Sequence, residues 1–248
     1  MPLPYMRSTL TAVLGLSVLL ATGLAASQSA TASNAMAPPV LAGDGQNGSN
    51  QTLGQALLAA ADKGDVVAVR DLLARGAPVN AQDAQGSTPL LRATAGNHIE
   101  VARSLLLHGA DTNLKNQQQD SAYLLAGAQG RLEIVRMALS YGADLKSLNR
   151  YGGTALIPAC ERGHVETAQA LIAAGVNVDH VNRLGWTCLM EAVVLADGGP
   201  AHQAIIRSLI AAGADLNLPD KEGVTALAHA RQRGQREVVQ LLQAAGAK

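Results

Sequence analysis

Phenylalanine is absent from this chain of 248 residues, tryptophan occurs once, at Trp186, and aromatic residues make up 2% of the whole, so any aromatic side chain on the surface is singled out. Cysteine is nearly absent too. Cys160 and Cys188 are too few for a four-ligand zinc cage. Neither follows the N-terminal apolar stretch, so lipid attachment through a signal-adjacent cysteine has no residue to use. A twin-arginine signal is also missing. No excess of charge exists in either direction, with 19 Lys and Arg against 19 Asp and Glu scattered along the chain. That balance removes the electrostatic reason to expect nucleic acid or an anionic membrane surface. The sequence has no glycine-rich phosphate loop, no nucleophile elbow and no histidine pair at i, i+4 with an acid.

What is present is a period. Gly-Ala recurs at Gly76, Gly109, Gly142, Gly213 and Gly246, with Gly175 followed by Val176, and the steps between these glycines are 33, 33, 33, 38 and 33 residues. Self-similarity at such a fixed spacing marks a stacked repeat protein, in which each unit buries its apolar face only against its neighbours. A second marker is Thr88, Ser121, Thr154, Thr187 or Thr225, with Gln55 in the first unit. A hydroxyl there caps a helix by accepting from an amide in the first turn, and Pro89 follows Thr88 where proline is tolerated.

Five residues past the cap stands Ala60, Ala93, Ala126, Ala159, Ala192 or Ala230, which predicts close helix-to-helix approach. A turn follows, and then a second helical stripe such as Val101, Leu105 and Leu106. The closing glycine suits a left-handed C-terminal cap. Polar stretches such as Asn80–Gly86 and Asn217–Gly223 join the units and predict short projecting hairpins. Pro158 falls inside the first helix of the fourth unit and predicts a kink or a late start. Gln119 stands for a hairpin glycine and predicts a looser finger in the third unit, and Lys146 stands for an asparagine. Five extra residues around Leu195–Pro200 form a surface loop in the fifth unit.

Thr88-Pro89-Leu90, Asn97-His98-Ile99-Glu100-Val101 and Gly109-Ala110-Asp111 resemble the ankyrin-repeat consensus, as do Gly163-His164-Val165-Glu166 and Gly213-Ala214-Asp215-Leu216-Asn217. The resemblance implies an all-α repeat solenoid of six helix-turn-helix units with short β-hairpin fingers, over about residues 53–82, 83–115, 116–148, 149–181, 182–219 and 220–248.

The N-terminus is of another kind. Arg7 precedes an apolar run from Leu10 to Leu20 and then small residues, which reads as a secretory signal peptide over residues 1–26, cleaved after Ala26 or nearer Ala32. The rival reading is an uncleaved anchor. Residues 27–52 are rich in Ser, Ala, Gly, Asn, Gln and Pro and read as a flexible leader.

Cys160 and Cys188 lie five positions out of step in neighbouring first helices, an offset that puts their Cα atoms beyond the ~7 Å reach of a disulfide. The expectation is two buried thiols acting as small apolar residues. His98, His164 and His202 share one repeat slot and Glu100, Glu133, Glu166 and Glu237 another, so both sets read as scaffold. No catalytic, metal or cofactor site is expected. An enzyme built on Asp197 and His202 at the inserted loop is the minor alternative.

In a repeat stack, function lies with the side chains that vary between units, and the resemblance implies docking of a partner protein on the hairpin tips and the ends of the first helices. Arg150, Tyr151, Arg183, Leu184 and Trp186 cluster on adjacent fingers, and Trp, Tyr and Arg are the residues most enriched at interface hot spots. Glu161 and Arg162, ending a first helix, border them. Trp186 and Tyr151 packing on each other to stiffen the hairpins is the competing reading. The expected function is a non-catalytic, monomeric protein-binding module exported to the periplasm, an accessory or protective factor for an envelope enzyme. A secreted effector engaging host proteins is the alternative.

Overall fold

The computed structural model describes residues 44–248. The signal-peptide reading, its cleavage sites and the leader up to residue 43 lie outside the described residues. Among the described residues twelve helices follow one another in pairs. The first helix of each pair is α1 (Asp44–Lys63), α3 (Pro89–Ala95), α5 (Ala122–Gln129), α7 (Leu156–Glu161), α9 (Cys188–Val194) or α11 (Ala226–Gln232). The second is α2 (Val66–Ala74), α4 (Ile99–Leu107), α6 (Leu132–Ser140), α8 (Val165–Ala173), α10 (Pro200–Ala211) or α12 (Arg236–Ala244). First helices stack on first helices and second on second, which makes an all-α solenoid of six units. α1 begins at Asp44, nine residues ahead of residue 53, where the repeat pattern starts the first unit, and so within the stretch 27–52 read as a flexible leader.

The alanines five past each cap fill the contact between stacked first helices, and Ala93, Ala126, Ala159, Ala192 and Ala230 are wholly buried. Four of the caps form as the sequence predicts. The amides of Leu91, Leu124, Met190 and Ala228 donate to the hydroxyls of Thr88, Ser121, Thr187 and Thr225 at 3.1–3.3 Å. In the fourth unit the late start occurs. Pro158 has no amide to donate to the Thr154 carbonyl, so α7 begins at Leu156 and the Thr154 hydroxyl is buried without a partner.

The cysteines correct the sequence reading. Cys160 and Cys188 form a disulfide, with Cα atoms 5.6 Å apart. The expectation failed because it took stacked first helices to be aligned in step. Instead the start of each faces the end of the one before. The same adjacency appears one unit earlier, where a Cβ on Gly127 would fall 2.7 Å from the carbonyl oxygen of Ala155. Six past the cap therefore meets one past the next cap, and both cysteines sit at those positions.

The third finger is not looser. Gln119 adopts the left-handed backbone, φ +63°, that glycine supplies in the other fingers, and the loop closes with Asn116 N–H donating to Asp120 O at 3.0 Å.

Between units the scaffold histidines act as staples. His98 Nε2 lies 3.0 Å from Asp62 O and His202 Nε2 lies 3.1 Å from Glu161 O, each reaching the end of the preceding first helix. Gln235 does the same in the last unit, donating to the carbonyls of Val193 and Ala196. Those bonds clamp the inserted segment, where Ala196 and Gly198 are buried and Asp197 is exposed. The insertion also lengthens α10 to 12 residues, with Pro200 in its first turn.

Candidate partner-binding fingers

Each finger is a tight loop built by its first side chain. Asp83, Asn116, Asn149, Asn182 and Asp220 use Oδ1 to accept from the amides two and four residues on. Such short polar side chains mimic a backbone turn, so one residue per unit fixes the loop and the next two form its tip. Gly152 and Gly185 complete the turns at φ +73° and +88°.

The Asn149 and Asn182 fingers are joined edge to edge. Arg183 N–H donates to Tyr151 O at 3.0 Å, and Arg183 Nη1 donates to Arg150 O at 2.7 Å. The Arg150 guanidinium sits over the Tyr151 ring, 5.1 Å from its centre, at the distance of a cation–π contact. Arg150 Nη1 also lies 3.5 Å from Asp120 Oδ2. Burial pushes the Asp120 carboxyl up, and the guanidinium pulls it part of the way back. Lys221 Nζ donates to Arg183 O, which extends the chain of contacts to the next finger.

Of the residues singled out from the sequence, the structure brings Arg150, Tyr151 and Arg183 into direct contact. Leu184 lies beside Arg183 at the exposed tip, at 45% exposure, as does Tyr151. Trp186 sits lower. Its carbonyl accepts from Asn182 N–H at 3.0 Å at the base of the finger, and its half-buried ring packs against the core. Arg162 turns toward the third unit, with Nη1 donating to Ala128 O at 2.8 Å. Glu161 bears on the fingers only by like-charge repulsion of an acid that sequence reasoning missed.

That acid is Glu191, in α9. Asn182 Nδ2 donates to Glu191 Oε1 at 2.7 Å, while Oε2 is buried without a hydrogen-bond partner. Burial, reinforced by the neighbouring Glu161 carboxylate and opposed by the Asn182 bond, pushes Glu191 up to about 7. A signal for it existed in the sequence. The slot four past the cap holds Ala59, Arg92, Leu125, Pro158, Glu191 and His229, and where it is polar it reaches back nine residues to the finger. Arg92 Nε donates to Asp83 at 3.2 Å, and His229 Nε2 lies 2.7 Å from Asp220. In the second, fifth and sixth units the finger is thus latched to its first helix.

At the inserted loop, His202 engages the Glu161 carbonyl through Nε2, with Asp197 Oδ1 3.9 Å from Nδ1. Among the described residues no cluster of three or more His, Cys, Asp or Glu is placed to hold a metal ion, and no helix is long and apolar enough to cross a membrane.

Comparison with known proteins agrees with this architecture. The ankyrin-repeat family pattern, in blocks of three copies, matches residues 31–116 and 123–220. The ankyrin-repeat protein YahD of Escherichia coli (strain K12) is 53% identical over 58 residues, which cover 23% of this chain and 29% of YahD. A crystal structure of an ankyrin repeat domain from Acinetobacter baumannii AYE superposes with a TM-score of 0.76 at 56% identity, covering 77% of this chain and 98% of that domain. The ankyrin repeat protein EF0377 superposes with a TM-score of 0.75 at 41% identity, covering 79% of this chain and 98% of that one.

Proposed function

The chain belongs to the ankyrin-repeat family of protein–protein interaction modules, and from that premise we propose that it binds a partner protein in the periplasm through the fingers of its fourth and fifth units. One observation carries the location. Of the seven large apolar side chains most exposed among the described residues, Leu148, Tyr151, Val181 and Leu184 lie on or beside the two fingers that Arg150 and Arg183 join. Contiguous exposed apolar surface rimmed by polar groups is what protein partners cover. The action is that of a non-catalytic, monomeric accessory or protective factor for an envelope enzyme.

Two features support export. The N-terminal run from Leu10 to Leu20 behind Arg7 has the pattern of a signal peptide, and the Cys160–Cys188 disulfide suits an oxidising compartment.

The test is a pull-down from periplasmic extract with the chain from Ser27, run beside a Tyr151→Ala, Leu184→Ala variant. Both side chains are exposed, so the variant leaves the stack intact by circular dichroism. A protein retained by the parent and lost with the variant identifies partner and face together. A protein retained equally by both moves the site elsewhere. Cell fractionation decides the compartment, and a mature chain found in the medium favours a secreted effector instead.

A further inference from the structure

An open groove of about 500 Å3 runs along the flank of the Asn149 and Asn182 fingers, lined by Lys115, Leu148, Arg150, His180, Val181 and Arg183 among others. Its lining holds three permanent cations and no carboxylate. In a chain with as many acids as bases overall, that local imbalance is a specific feature.

The cations are held in place by the stack. Lys115 Nζ donates to Leu148 O at 2.8 Å, Arg183 Nη1 donates to Arg150 O at 2.7 Å, and His180 Nε2 lies 2.7 Å from Gly152 O. The Lys115 and Arg183 bonds run from one unit to its neighbour, while His180 braces Gly152 within the fourth unit, so the two charged heads are ordered before any ligand arrives. An ammonium carries three N–H donors and a guanidinium five, so one bond to a carbonyl leaves Lys115 and Arg183 donors for an incoming anion. Leu148 and Val181 line the same groove, one repeat apart and 36% and 47% exposed. The nearby acid, Asp120, is half-buried and faces Arg150.

We infer that this groove receives an extended acidic segment of the partner protein, with its carboxylates on Lys115, Arg150 and Arg183 and its apolar side chains on Leu148 and Val181. The inference rests on the protein-binding reading above and adds the chemistry of what is bound. Guanidinium planes match carboxylates in paired hydrogen bonds, and the aliphatic pair offers contact that a phosphate backbone does not use. The chain's own residues 27–43 contain no Asp or Glu and lack the charge to fill it. At the other end of the stack the pattern reverses: the groove there is lined by Asp62 and Asp83, with Arg92 held between them.

The experiment measures fluorescence polarisation of a short fluorescein-labelled peptide alternating glutamate with valine, titrated with the chain from Ser27. The same peptide with glutamine for glutamate, an oligo(dT) strand and phosphatidylglycerol vesicles are the comparison ligands. The glutamate peptide is expected to bind at least about tenfold more tightly than the glutamine peptide, and to weaken as salt is raised. A Lys115→Glu, Arg183→Glu variant is expected to lose at least about tenfold. Leu148→Ser supplies a second readout that touches no inter-unit bond: binding weakens while its salt dependence stays the same. Equal binding of the two peptides, undiminished binding to the charge-reversed variant, or tighter binding of oligo(dT) or vesicles than of the glutamate peptide overturns the inference. A partner captured through Tyr151 and Leu184 whose binding is indifferent to salt and to charge reversal leaves protein binding standing and removes the acidic segment alone.

Discussion

Asn182 holds the fifth finger from both sides, its Oδ1 accepting from Leu184 and Trp186 N–H while its Nδ2 donates to Glu191 Oε1 at 2.7 Å. One side chain therefore couples the tip that carries Arg183 and Leu184 to a buried carboxyl in α9. The coupling gives the finger a dependence on protonation that its sequence does not advertise.

Glu191 is 4% exposed and raised to about 7 from an ordinary value near 4.5, first by burial and then by Glu161. Between those two values the folded chain keeps a proton that the unfolded chain has released, so this group favours folding most at low pH. Its contribution is lost as pH rises from about 4.5 through 7. Glu191→Gln keeps an oxygen acceptor for Asn182 and removes the charge. Urea denaturation should find the variant close to the parent at pH 5 and more stable at pH 8, by up to about 3 kcal/mol. A difference that is the same at both values would mean that Glu191 does not titrate in this range.

The Cys160–Cys188 bond closes a loop across a sequence separation of 28 and ties α7 to α9. Chain-entropy arithmetic for a loop of that size gives about 3–4 kcal/mol, and for a chain of this length that corresponds to a shift in Tm on the order of 10 °C. Protein isolated from periplasm and denatured without reductant should show no free thiol, and dithiothreitol should lower its Tm by roughly that amount. Two titratable thiols before reduction would exclude the bond in the cell. Cys188→Ala should reproduce the reduced Tm and make it insensitive to dithiothreitol.

What the sequence made legible follows from how repetition works. Ala93, Ala126 and Ala159 are interchangeable because every unit makes the same contact there, so the period alone reveals the core and the caps and marks the repeated histidines as scaffold, though not that they reach the preceding unit. The disulfide was hidden because it depends on the axial slip between helices, a quantity that no single repeat contains. Glu191 was hidden for the opposite reason, since it occupies a slot where no two of the six units agree. At the fingers, the pattern named Arg150, Tyr151, Arg183 and Leu184 but placed Trp186 too high, because the finger's base and its tip differ by only two residues.

Gln119 occupies a left-handed position, φ +63°, that Gly86, Gly152, Gly185 and Gly223 occupy in the other fingers. A side chain there meets its own backbone, which costs about 1 kcal/mol relative to glycine. Gln119→Gly should therefore raise stability in urea by somewhat less than that, because glycine also gives the unfolded chain more freedom. A loss of stability would show that the Gln119 side chain makes contacts that outweigh its backbone strain.

At four of the five seams between units, one side chain accepts from a backbone amide of the next unit. Asn80 accepts from Asp111 N–H, Asn113 from Asp144, Asp179 from Asp215 and Asn217 from Lys248, at 2.8–2.9 Å. At the fifth seam the position is Lys146, whose ammonium has donors only, so the Asn177 amide has no equivalent acceptor there. The seam between the third and fourth units thus lacks a bond that the other four possess. Lys146→Asn should restore it and add about 1 kcal/mol, within the usual range for a hydrogen bond on a protein surface. Amide hydrogen exchange gives the local readout: Asn177 should become more protected in the variant, while Asp111 and Asp215 should not change. Added stability with no change at Asn177 would place the gain in the unfolded chain or in relief of lysine charge, and would remove the seam from the explanation.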